Sequence, residues 1–70
     1  MDKEKLGAFV QMLRKEQQMT QKELADKLCI TDKAVSKWER GLSCPDISML
    51  EPLSDALQVS VLELLQGERM

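Results

Sequence analysis

Few residues in this chain are of types that make or break bonds. Histidine is absent, and the two cysteines, Cys29 and Cys44, lack the C-x-x-C spacing that holds a metal or forms a redox pair. They read as reduced, packed thiols, with a redox switch as the weaker alternative. No nucleophile is paired with a base and no glycine-rich stretch could cradle phosphates, so no catalysis, metal or cofactor is expected. What remains is a set of charged and hydroxyl side chains, Asp32, Lys33, Ser36 and Lys37, that share one face if residues 32–40 are helical. Taken alone, such a set is more often a solvated surface than a binding one. Its meaning depends on what holds it in place.

A chain of 70 residues forms one domain with a small stability margin and no room for a catalytic cleft on top of a scaffold. Composition is that of a folded, soluble protein, 43% hydrophobic and 31% charged, and with only two prolines and three glycines it favours helix over strand. No apolar run approaches the ~18 residues of a membrane span. The start, Met1-Asp2-Lys3-Glu4-Lys5, is unlike a signal peptide, so the cytoplasm is the expected compartment. The net charge of −2 argues against a nucleic-acid partner, but its distribution argues for one. Residues 1–40 hold nine Lys/Arg against seven Asp/Glu, a balance of +2, whereas residues 41–70 hold one against five, a balance of −4. A basic surface can meet phosphate while the acidic half faces away.

Five helices are predicted. Leu6, Phe9, Val10 and Leu13 fall at i, i+3, i+4 and i+7, so helix one runs from Asp2 or Lys3 to Glu16, with Lys5, Gln11 and Lys15 on the solvated side. Thr20 with Glu23 forms a capping box for helix two, which buries Leu24, Ala25 and Leu28 and stops at Leu28 or Cys29. Thr31 caps helix three, Asp32 suits its positive end, Ala34, Val35 and Trp38 face inward, and Gly41 stops it. After the loop Gly41–Pro45, helix four packs through Leu50, Leu53 and Leu57. Ser48 is the preferred N-cap over Asp46, because it keeps Pro52 near the first turn, where a proline costs less than the ~3 kcal/mol of a helix interior. Ser60 with Glu63 caps helix five, which packs through Val61, Leu64 and Leu65 and ends at Gly67. Residues 1–67 form the domain, and 68–70 are a tail or the start of a linker.

Helices two and three carry the functional signal. A cap, a short helix with small Ala25 inward, a tight turn, a second cap and a polar helix make a helix-turn-helix, with Ile30, Val35 and Trp38 setting the angle. The chain then resembles the phage-repressor-like Cro/Xre helix-turn-helix proteins from Leu6 to Gly67. The resemblance rests on Thr20-Gln21-Lys22-Glu23-Leu24-Ala25, Val35-Ser36-Lys37-Trp38-Glu39-Arg40-Gly41, Pro45, Leu57-Gln58-Val59-Ser60 and Leu64-Leu65. Cys29 departs from it, since relatives often have glycine at this turn. In a left-handed backbone a cysteine there costs roughly 1 kcal/mol.

This resemblance implies an all-α, five-helix, repressor-like domain that binds double-stranded DNA sequence-specifically and regulates transcription, as a repressor by expectation, through occupancy of its site. Helix three (about 32–40) would enter the major groove. Lys33 and Lys37 would donate to guanine or phosphate, Ser36 would donate or accept, and Asp32 would accept from cytosine or only cap its helix. Gln21 resembles the family's phosphate clamp, and backbone amides around Leu42 and Ser43 would hold a second phosphate. Arg40 is balanced between phosphate contact and complementing the helix dipole. Arg14 and Glu39 would pair with each other rather than touch DNA, and Trp38 belongs to the core. A homodimer on a palindromic operator is expected, with helix five or the segment before it as one place for the contact. The alternative is an antitoxin-like protein-interaction module on the same fold, which an apolar or acidic face on helix three would favour.

Overall fold

The computed structural model describes residues 2–70. Its elements are α1 (Lys3–Glu16), α2 (Gln21–Leu28), α3 (Asp32–Glu39), α4 (Ile47–Leu57) and α5 (Val61–Gln66), with no strand among the described residues. Side-chain capping bonds start four of the five helices. The Asp2 carboxylate accepts the Glu4 and Lys5 N–H groups at 3.0 and 3.2 Å. Thr20 with Glu23 and Ser60 with Glu63 form complete capping boxes, and the Thr31 hydroxyl accepts the Ala34 N–H. Each bond satisfies a donor that the first helical turn leaves without a partner.

One core joins all five helices. Leu6, Phe9, Val10 and Leu13 of α1 meet Leu24, Ala25 and Leu28 of α2, Val35 and Trp38 of α3, Leu53 and Leu57 of α4, and Leu64 of α5. The closest approach is between α1 and α3: a Cβ on Gly7 would overlap the Trp38 carbonyl. A glycine inside a helix costs about 1 kcal/mol of propensity relative to alanine, and here that cost is offset by direct contact between backbones.

A buried ion pair locks the same two helices. Arg14 Nε donates to Glu39 Oε2 at 2.7 Å and Nη2 donates to Oε1 at 3.0 Å, with side-chain exposures of 10% and 2%. Hydrogen bonding to Glu39 raises the Arg14 pKa further, against the opposing effect of burial. Arg14 Nη1 also donates to the Met19 carbonyl at 2.8 Å, which tethers the entry to α2.

Three expectations need correction. Helix four starts at Ile47 with Asp46 as its N-cap, so Pro52 lies inside the helix and Ser48 is not the cap. Asp46 makes no side-chain bond to the helix backbone; its carboxylate instead accepts the Ser48 hydroxyl at 2.6 Å. Leu50, Leu53 and Leu57 are buried on one face, as expected. Pro52 leaves the Ser48 carbonyl without a helical partner on an exposed turn, where the loss is mildest. Leu65 is 39% exposed rather than inward. On so short a helix Leu64 takes the core position, and Leu65, about 100° further round, lines a groove with Ile47, Leu50 and Val61. Cys29 is exposed rather than packed, because it is the left-handed C-cap of α2 with φ 58°. Beyond α5, two residues make surface ion pairs with α1. Lys5 pairs with Glu68 at 3.5 Å, and Arg69 pairs with Glu16.

These features give three measurable expectations. Gly7→Ala destabilises by about 1–3 kcal/mol through overlap, whereas Cys29→Gly stabilises by about 1 kcal/mol through relief of the left-handed backbone; urea denaturation of the two variants should shift the midpoint in opposite directions. Arg14→Ala or Glu39→Ala leaves a buried charge without its partner and costs about 3 kcal/mol, enough to unfold much of so small a domain at 25 °C by circular dichroism. Bonds from the Thr20 and Ser60 backbone hold the Glu23 and Glu63 carboxyls below the usual range, and the Ser48 hydroxyl does the same for Asp46. Depressed carboxyls stabilise the fold above their unfolded pKa and lose that contribution as pH falls through the folded one. The melting temperature should therefore drop on acidification from about pH 6 to about pH 3, and an unchanged value would refute these caps as contributors.

Candidate nucleic-acid interface

Helix α3 is eight residues long, too short to persist alone in water. It exists because Val35 and Trp38, 0% and 5% exposed, are seated against α1 and α2. That seating decides which side chains face outward. Asp32, Lys33, Lys37 and Arg40 are exposed and Ser36 is half-buried. Lys33 and Lys37 sit one helical turn apart, and neither forms an ion pair among the described residues. Arg40, the C-cap, turns back so that Nε donates to the Ser36 carbonyl at 3.4 Å. This surface presents Lys33 and Lys37 as cationic donors with no ion-pair partner among the described residues. It has the chemistry to engage phosphate oxygens or base acceptors and lacks the groups to hold a metal.

The flanking residues lie at the two ends of the α2–α3 unit. Gln21, the first residue of α2, is half-buried and donates from Nε2 to Glu39 Oε1 at 3.0 Å. The expected free amide is therefore already tied to the Arg14–Glu39 pair through one of its two N–H groups. Beyond α3, the Leu42 N–H donates to the Lys37 carbonyl at 2.9 Å. This bond closes the helix end and removes Leu42 as a free donor, correcting the expectation that its amide would hold a phosphate. The Ser43 N–H makes no backbone bond among the described residues. Gly41, with φ 73°, provides the left-handed step that this closure needs.

Two structural residues went unread in the sequence. Gly7 had a signal, since a glycine beside the apolar stripe of a helix marks a close approach. The Met19 carbonyl had none, because any residue can supply it.

Comparison with known proteins agrees with this geometry. A family model described as helix-turn-helix matches residues 10–64. The HTH-type transcriptional activator BcrR of Enterococcus faecalis is 38% identical over 61 residues, covering 87% of this chain and 30% of that protein. The HTH-type transcriptional regulator YqaE of Bacillus subtilis, itself uncharacterized, is 44% identical over 55 residues, covering 79% and 47%. The chain thus spans less than half the length of either curated relative. Among solved structures, the clp gene regulator ClgR of Corynebacterium glutamicum superposes with a TM-score of 0.85 at 28% identity, covering 96% of this chain and 71% of that one. The restriction-modification controller protein C.AhdI of Aeromonas hydrophila gives 0.82 at 27% identity, covering 90% and 91%. With the family match running from the middle of α1 into α5 and the α2–α3 unit formed as that family requires, this chain belongs to the helix-turn-helix family of Cro/Xre type.

Proposed function

We propose that this domain binds double-stranded DNA sequence-specifically and regulates transcription by occupying its site, with α3 in the major groove. The observation that carries this reading is the exposed, unpaired Lys33–Lys37 face on a helix braced by the core. Relatives described as transcriptional regulators and a controller protein support it. Lys33 and Lys37 donate to base edges, with Ser36 beside them. Asp32 accepts from cytosine or acts only on the helix end. Gln21, Arg40 and the Ser43 amide hold the backbone on either side.

Occupancy represses where the site overlaps that of the polymerase, which is the sense we favour; no bond is made or broken. An eight-residue helix spans about 12 Å, the length of one half-site, so two copies on a palindromic operator would double the sequence read. A cytoplasmic location goes with this reading. No helix among the described residues is long and apolar enough to cross a membrane.

Selection from a random duplex pool, followed by anisotropy titration at two salt concentrations, tests the reading. Lys33→Ala and Lys37→Ala each lose about 1–3 kcal/mol on the selected site and relax preference at one position. Arg40→Ala weakens all sequences alike and lowers the salt slope by about one. Equal weakening of every sequence by the two lysine variants would remove base readout by those residues. No saturable binding to any duplex at low ionic strength would remove the function.

A further inference from the structure

The Gln21 amide, the Glu39 carboxylate and the Arg14 guanidinium form one continuous chain of hydrogen bonds, with half-buried Gln21 at its outer end. Glu39 Oε1 accepts both Arg14 Nη2 and Gln21 Nε2 at 3.0 Å. An ionised carboxylate offers acceptors only, so the end of the Gln21 amide that meets it must be the NH₂ group, and the flipped amide would set two oxygens against each other. One Nε2–H is then fixed, and the rigid amide plane fixes the direction of the other. That second N–H has no protein partner among the described residues. Arg14 matters for a separate reason. A bare carboxylate this close to Gln21 would repel a phosphate, and the bidentate guanidinium neutralises it.

We infer that Glu39, neutralised by Arg14, is a positioning residue for DNA: it orients the Gln21 amide so that its remaining N–H donates to a backbone phosphate. The inference rests on the DNA-binding reading above and assigns the ion pair a role beyond joining α1 to α3. Because the same carboxylate belongs to the last residue of α3, the phosphate contact and the depth of α3 in the groove are set by one group. A donor whose direction is fixed before binding loses less side-chain entropy on contact than a free surface glutamine.

The test uses a fluorescein-labelled duplex recovered from the selection, synthesised with a single uncharged methylphosphonate at each backbone position in turn. The wild-type protein should lose about tenfold in affinity at one position, the worth of a hydrogen bond to a charged group. Gln21→Ala should abolish the loss at that position. The double variant Arg14→Met/Glu39→Leu replaces the ion pair by apolar groups of similar volume, an exchange that buried pairs often tolerate. Folded, it should still bind the duplex while most of the methylphosphonate loss disappears.

A folded double variant with the full wild-type loss overturns the positioning role and leaves DNA binding intact. Persistence of the loss in Gln21→Ala overturns it as well. Failure of the wild-type protein to bind any duplex removes both readings. Should the double variant not fold, ¹⁵N–¹H spectra of the wild-type Gln21 side chain decide the question. One Nε2 proton should be protected from exchange in the free protein and the other should shift only on adding the duplex. Two protons that behave alike in both states overturn the inference.

Discussion

A buried guanidinium is tolerable only where acceptors meet it in the right plane, and the arrangement of this domain follows from how Arg14 is met. It lies on α1, yet its acceptors come from the last residue of α3 and from the residue before the cap of α2. Both ends of the helix-turn-helix are therefore referred to one side chain. Apolar packing around Val10, Leu24 and Val35 provides cohesion without direction. The ion pair adds direction, because planar groups bonded at two points do not slide past each other. Gly7 works alongside it by letting the α3 backbone come into contact with α1 next to the pair. Replacing the pair by well-packed apolar side chains could preserve the fold, as such pairs rarely add net stability. Its retention makes more sense as a means of fixing where α3 sits.

Much of this was legible in the sequence, for a definite reason. Helix starts in small domains are decided by local bonds that reach three residues, and a Thr or Ser followed three positions later by Glu is visible in one dimension. Hence Thr20–Glu23 and Ser60–Glu63 are found where spacing places them. The core of α1 follows from the helical period alone. The same local logic fails at Ser48, where Glu51 completes an equally good pattern. There the helix begins two residues earlier, at Ile47, and Pro52 is carried inside it. Leu65 fails similarly, because a single-turn helix has no period long enough to show which of two adjacent leucines is buried.

The site divides along the same line. Side chains projecting into solvent from α3 are determined by which residues of that helix are buried, so Lys33 and Lys37 can be placed from Val35 and Trp38. Groups whose availability depends on a hydrogen bond elsewhere cannot. Leu42 lies in a plausible place for an amide donor, but the Lys37 carbonyl takes its N–H to close the helix. Gln21 lies where a phosphate clamp belongs, yet whether its amide swings freely or is held depends on Glu39, eighteen residues away along the chain. The carboxylate and the amide look like unrelated surface polar residues until α3 is folded back onto α2.

Charge completes the picture. Salt bridges elsewhere on the surface pair Lys22 with Asp26, Lys5 with Glu68 and Arg69 with Glu16. Exposed pairs of that kind contribute little to stability, and their more relevant effect is on the field. Lys33 and Lys37 of α3 form no ion pair among the described residues, within a chain of negative total charge. An acidic protein that presents unpaired lysines on one helix face repels a polyanion in most orientations and attracts it where that face leads. The segregation that makes the net charge look wrong for a DNA-binding domain thus selects the orientation in which α3 leads.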